Sequence, residues 1–242
     1  MKLYSTYEKA STSMVEDLSF VECLLQLPHT HILETGTFRG EGSTQMLAYL
    51  KPQVLITIER DKENHRIASE NLVKFPFIQC LHGLSVNKKE AVDFIKQDEA
   101  ISNHEAYPDV WIDDIKDPVK FYTKEMNGTL FSKGAKEKVE EDWIRRLLPL
   151  MADFHPMILL DSAGGIGLLE FQIVREIMGD RSYTVIFDDT HHLKHFRSRQ
   201  LVLDSPDFQL MYEGDGCIVS RHEIAVPKRV YVITGRIGDI HM

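Results

Sequence analysis

Apolar and polar positions along the chain switch period repeatedly, and each switch marks an element. From Met14 to Leu27 the residues Val15, Leu18, Val21, Leu24 and Leu25 recur at a helical spacing and Pro28 ends the run, which predicts a leading helix. Ile32 and Leu33 open a first strand, with a helix predicted behind it over Gly42 to Leu50. VLITIE at Val54 to Glu59 is dense in β-branched residues and reads as a second strand, followed by a polar helix from Lys62 to Val73. Phe77 to Leu84 gives a third strand and Lys88 to Gln97 the helix after it. Strand and helix alternating at this pace predict right-handed βαβ units and a mainly parallel sheet covered on both faces.

The alternation stops between Asp98 and Glu140, where the chain is polar, irregular and broken by PDVWIDDIKDP, MNG and SKGAK. A stretch of that length predicts a lid, a binding loop or an insertion. Lys136 to Met151 resumes a helix, and Met157 to Leu160, Leu168 to Met178, Tyr183 to Phe187 and His191 to Leu201 alternate again as strand, helix, strand, helix. Phe208 to Tyr212, Cys217 to Val219 and Arg229 to Thr234 are β-like. The organisation expected is an N-terminal helical segment over 1–30 and one α/β domain over 31–242. That domain is a doubly wound, mainly parallel sheet with helices on both faces, antiparallel C-terminal strands and an irregular insertion at 98–140.

Composition narrows the function classes. With 242 residues, 43% of them hydrophobic, the chain can bury a sizeable core. A formal net charge of -9 disfavours a general phosphate-backbone surface, so no nucleic-acid partner is expected. Cys23, Cys80 and Cys217 are odd in number and far apart, which reads as reduced core thiols of a cytoplasmic protein. Met1 to Ala10 carries no apolar core of a signal peptide, and no stretch approaches ~18 uninterrupted apolar residues, so neither secretion nor a membrane partner is expected.

Between the first strand and its helix runs ILETGTFRGEGS, with Gly36, Gly40 and Gly42. A glycine-rich turn there lets backbone approach a ligand, and the helix start offers unpaired N–H groups, which suits nucleotides and nucleosides. Taken alone it is equally a tight βα turn. Glu59, the last residue of the second strand, strengthens the ligand reading, because an acid at that strand end is placed to bind the two hydroxyls of an adenosine ribose.

On ETGTFRGEGS at Glu34 to Ser43, the strand-end Glu59 and HGLS at His82 to Ser85, the chain resembles the class I S-adenosylmethionine-dependent methyltransferases, over roughly His31 to Arg199. The resemblance implies a Rossmann-like fold and S-adenosylmethionine as cofactor. It places Glu34, Gly36, Thr37, Gly40 and Ser43 at the methionine part, Glu59 at the ribose and Gly83, Leu84 and Ser85 along the adenine, with Asp161 also at the cofactor. A dinucleotide-binding turn of the G-x-G-x-x-G kind is disfavoured, since it would need glycine at Phe38 and Glu41.

ILLDSAGGIG at Ile158 to Gly167 and TVIFDDTHHLKH at Thr184 to His195 each end a β-rich run in carboxylate. In a parallel sheet Asp161, Asp188 and Asp189 open onto the same rim as the glycine-rich turn. Three carboxylates in one cleft call for a cation, and a hard divalent ion, magnesium first and calcium or manganese next, is the natural partner. The same aspartates read equally as helix caps. The layout is similar to metal-dependent O-methyltransferases of the macrocin and sugar type, which implies an ion on Asp161, Asp188 and Asp189 that lowers the pKa of a substrate hydroxyl.

That family's motif carries a second acid two residues after the first, its general base, where this chain has Ala163 in DSAGG. His191, directly after the Asp-Asp-Thr segment, is the expected replacement, with Asp161 as the base of a metal-free variant. His192 and His195 read as surface residues. The insertion, with Trp111, Phe121, Tyr122 and Phe131, is read as a lid or an oligomer contact, and Tyr4 and Tyr7 as residues able to close over the cofactor. The leading expectation is a methyltransferase acting on a hydroxyl of a small polar acceptor, a sugar or a secondary metabolite. Its rivals are a non-catalytic nucleoside-binding scaffold, and a hydroxylase-like relative holding iron through His191. Terminal β-segments that pair with another subunit instead of completing the sheet would make a homo-oligomer.

Overall fold

Every residue of MILL in Met157–Leu160 is buried, as are four of the five in His31–Thr35, a pattern that only a strand covered on both faces produces. A computed structural model describes residues 18–113, 115–128, 139–162, 164–213 and 216–221. It contains strands β1 (His31–Thr35), β2 (Val54–Glu59), β3 (Ile78–His82), β4 (Met157–Leu160), β5 (Tyr183–Asp188), β6 (Gln209–Glu213) and β7 (Gly216–Arg221). They form one sheet in the order β3-β2-β1-β4-β5-β7-β6. The first five are parallel, in registers such as Leu33 opposite Ile56 and Leu159 opposite Ile186. β7 pairs antiparallel with β5 and with β6, the latter with an irregularity between Leu210 and Tyr212. The expected α/β architecture with antiparallel C-terminal strands is therefore the one observed.

Helices α1 (Leu18–Leu25), α2 (Ser43–Tyr49), α3 (Lys62–Leu72), α4 (Lys88–Gln97), α7 (Trp143–Met151), α8 (Gly167–Met178) and α9 (Phe196–Leu203) alternate with the strands. Capping fixes where they begin. Asp61 accepts from the N–H groups of Glu63 and Asn64 at the start of α3, and Asn87 from that of Glu90 at the start of α4. The core joins the sheet to these helices through Leu33, Ile58, Leu159, Phe171 and Phe187, with Phe171 edge-on to Phe187 at 4.8 Å.

The insertion differs from the irregular segment expected. It folds into α5 (Glu99–Ser102), a 3-10 turn at His104–Ala106 and α6 (Pro118–Met126). Asp98 caps α5, Asp117 caps α6, and Pro118 sits in the first turn of α6, where its missing N–H costs nothing. Tyr122 is wholly buried, and α6 packs on α4, so α6 joins the core. Trp111 donates its N–H to His191 O at 2.8 Å and accepts from Leu193 N–H at 2.9 Å, which fastens the insertion to the turn after β5. Tyr4, Tyr7, Phe131, Ala163, residues 136–138 of the helix predicted over Lys136 to Met151 and the segment Arg229 to Thr234 lie outside the described residues. So does the start of the leading helix, whose described part is α1.

Candidate functional site

Between β1 and β4 the chain order reverses: β2 and β3 lie to one side of β1, and β4 and β5 to the other. Loops leaving the carboxyl ends of β1 and β4 diverge there and leave a crevice, the place where ligands sit in open α/β sheets. The glycine-rich turn leaves β1 at this point. Gly36 adopts φ +86, and a Cβ on it would lie 2.7 Å from the Asp161 carbonyl carbon, so the turn and the end of β4 are in direct backbone contact. Gly36 and Thr37 N–H groups both reach Ile58 O on β2, at 3.0 and 3.3 Å.

Glu34 and Ser43 turn inward. Glu34 is fully buried and accepts from the hydroxyls of Ser43 (2.7 Å), Thr44 (2.6 Å) and Thr57 (2.7 Å). Burial drives its pKa up to about 7, against the opposing pull of those three hydroxyls. The Thr37 hydroxyl likewise meets that of Thr57. These side-chain bonds tie the turn to the ends of β1 and α2 and to β2.

Glu59, at the end of β2, accepts from Phe38 N–H (2.7 Å, Oε2) and Asp61 N–H (2.6 Å, Oε1). It ties the tip of the glycine-rich turn to the loop after β2. It is 8% exposed, and burial lifts its pKa to about 7. Arg60 N–H bonds the same carboxylate, so the two oxygens together keep one lone pair for a ligand hydroxyl. Gly83 follows β3 and hands its N–H to Glu59 O at 2.9 Å. A residue absent from the sequence reading, Trp143 at the start of α7, closes over Gly83. Its indole N–H is buried and has no hydrogen-bond partner among the described residues. Ser85 does not line this edge: it is buried, its carbonyl holds Ile144 N–H, and its hydroxyl bonds Glu170.

On the other side of the crevice Asp161, Asp188 and Asp189 converge, with one carboxylate oxygen from each within 4.8 Å of the others. Asp161 follows β4, Asp188 is the last residue of β5, and Asp189 takes a left-handed φ of +52 that folds the chain back over the strand ends. Lys194 stands among them. Its Nζ is 2.8 Å from Asp161, 3.1 Å from Asp189 and 3.9 Å from Asp188, and its side chain is 3% exposed. Burial and the charges of Asp161 and Asp189 raise the Asp188 pKa well above the usual carboxylate range. For Asp189 burial pulls upward, but Lys194 and His192 outweigh it and its pKa falls.

The histidines are placed differently from expectation. His191 is exposed on the turn and contributes its carbonyl to Trp111, so the structure does not bring its ring to the carboxylates. The left-handed Asp189 sends residue 191 outward and residue 192 inward. His192 is buried: Nδ1 accepts from Lys194 N–H at 3.1 Å, and Nε2 faces Asp113 at 3.6 Å. His195 is a core residue, bonded through Nε2 to Leu160 O at 3.0 Å, and burial pushes its pKa well down. An iron site built on His191 has no support in this arrangement. The insertion adds acids to the rim instead. Asp113 accepts from Tyr122 hydroxyl at 3.1 Å, and Glu125 has a buried Oε2 without a partner among the described residues. Burial, then the neighbouring Asp113, lifts Glu125 to about 7.

The crevice thus has a glycine-rich turn and a strand-end carboxylate on one wall and an acidic rim around a single lysine on the other. Among the described residues no helix is long and apolar enough to cross a membrane. No protein-family model and no curated protein matches the chain. Solved structures similar to it include the O-methyltransferase from Bacillus cereus in complex with SAH, at 18% identity, 84% of this chain, 79% of that one and a TM-score of 0.45. TomG from Streptomyces achromogenes, an O-methyltransferase involved in tomaymycin synthesis and in complex with SAM, gives 16%, 90%, 89% and 0.46. A putative O-methyltransferase from Klebsiella pneumoniae gives 14%, 90%, 86% and 0.45.

Proposed function

We propose that the chain binds S-adenosylmethionine across this crevice and transfers its methyl group to a hydroxyl of a small polar acceptor, a sugar or a secondary metabolite. The observation that carries the reading is Glu59: a buried strand-end carboxylate, beside the switch point, hydrogen-bonded to the tip of the glycine-rich turn and with one lone pair left for a ligand hydroxyl. Glu59 would take a ribose hydroxyl, the Gly36 to Gly40 backbone the methionine part, and Gly83 with Trp143 the edge of the adenine. When bound, the cofactor supplies an electrophilic methyl on a sulfonium cation, and the acidic rim of Asp113, Asp161 and Asp189 suits a positive centre. The rim's remaining tasks are to orient the acceptor oxygen, exclude water and accept its proton, for which Asp161 is the nearest group to the turn.

Asp161 is held by Lys194, and this favours one second reading, a non-catalytic nucleoside-binding protein of the same fold. Thermal shift with S-adenosylhomocysteine, adenosine and NAD tests the proposal. A rise in melting temperature given by S-adenosylhomocysteine well above that given by adenosine or NAD supports it, because a ligand confined to the native state stabilises it by mass action. Equal shifts with adenosine favour the second reading, and no shift removes both.

A further inference from the structure

We infer that Lys194 is the resident cation of the Asp161, Asp188 and Asp189 cluster, a tethered ammonium in the place where a divalent metal would otherwise be needed. The inference stands on geometry and does not depend on the methyl-transfer reading. One oxygen from each aspartate would have to lie within ~2.0–2.6 Å of a magnesium or calcium ion shared by all three. Lys194 Nζ, at 2.8, 3.1 and 3.9 Å from those carboxylates, fills that same space, and an ion there would press against an ammonium.

The backbone that carries the lysine is also held in place. Its backbone N–H is bonded to His192 Nδ1 at 3.1 Å. The next residue, His195, is fully buried, bonded to Leu160 O, and packed so closely on Gly167 that a Cβ there would lie 2.7 Å from its Nε2. His192 is itself buried between Trp111 and Asp113, with ring centroids 4.7 Å apart on the tryptophan side. The chain on both sides of Lys194 is therefore pinned, and only 3% of its side chain reaches the surface.

Lys194 acts here as a positioning residue. It lets three carboxylates share one rim without a soluble ion and fixes the direction of Asp161 next to Gly36. A site organised this way recognises charge and does not chelate, so an acceptor need not offer two neighbouring oxygens to an ion.

The test is manganese binding, followed by electron paramagnetic resonance of the free ion, with the melting temperature measured alongside in magnesium. Wild-type protein is expected to take up no ion stoichiometrically and to show no magnesium-dependent shift. In Lys194→Met the carboxylates lose their counter-charge: the melting temperature falls, one manganese per chain binds saturably, and the ion restores the lost stability. Adding Asp189→Asn to Lys194→Met abolishes that uptake, whereas Lys194→Arg stays metal-free. Stoichiometric uptake by wild type, lost in Asp188→Asn, overturns the inference, and so does a folded Lys194→Met that gains no ion. Should Lys194→Met fail to fold, the wild-type titration alone decides. None of these readouts requires S-adenosylmethionine to bind.

Discussion

Gly36→Ala tests the joint between the cofactor turn and the carboxylate wall. At φ +86 the backbone sits where an L residue pays about 1–2 kcal/mol. The added Cβ would fall inside contact with the Asp161 carbonyl oxygen, 2.7 Å from its carbon and 3.2 Å from Ser162 N. These are backbone atoms of the β4 end, already bonded to Thr35 through Asp161 N–H at 3.2 Å, so relief requires β1 and β4 to part. Overpacking of that kind costs roughly 1–3 kcal/mol, and the smaller entropy of the unfolded alanine chain returns about 0.4–1 kcal/mol. The net expectation is about 2–4 kcal/mol of lost stability in urea unfolding, with an unchanged slope. Gly40→Ala is the internal control. Its φ is also left-handed, +69, but its Cβ would meet the tip of Leu72 at 3.0 Å, a side chain able to move. It should cost about 0–1.5 kcal/mol, the backbone share less the same entropy return. Gly36→Ala within 1 kcal/mol of wild type, or Gly40→Ala costing as much, would refute the contact between turn and strand end.

Stability should fall as pH rises from about 4.5 to about 7. Glu34 and Glu170 have folded pKa values of about 7 against 4.5 unfolded, so in this window the folded chain holds protons that unfolding releases. The contribution is complete below 4.5 and lost above 7; at full effect a shift of that size is worth about 3 kcal/mol per group. Melting temperatures measured across this range should decline, and Glu34→Gln should flatten the decline, whereas a parallel curve would contradict the assignment. Asp98→Ala removes the cap on Ile101 N–H and strands Arg197, paired to it at 2.5 Å, so it should cost about 2–4 kcal/mol and loosen the insertion, read as faster hydrogen exchange in α5 and α6.

The parallel sheet was legible because its strands are short runs of apolar β-formers, and VLITIE and MILL have no other use. Lys88–Gln97 and Met157–Leu160 fall where periodicity predicts them. The insertion was less legible. Its first helix is only four residues long and the stretch between the two is broken by turns, although Asp117 and Pro118 are a capping pair that announces α6. The helix predicted from His191 begins instead at Phe196, because His192 accepts Lys194 N–H and His195 bonds Leu160, which holds residues 191–195 in a turn. At the site, the strand-end acids could be read from their positions after the strands. The orientation of His191 and His192 could not, since it follows from a left-handed Asp189. Nor could the seating of Lys194, whose role depends on three carboxylates that only the folded sheet brings together.

The central claim is that S-adenosylmethionine binds at the glycine-rich turn through Glu59. Isothermal calorimetry of S-adenosylhomocysteine with wild type and Glu59→Ala tests it most directly. If the proposal holds, wild type has one saturable site per chain and a Glu59→Ala protein that remains folded loses at least tenfold in affinity, about 1.4 kcal/mol. Binding unchanged by the substitution, or absent from both proteins, would contradict it.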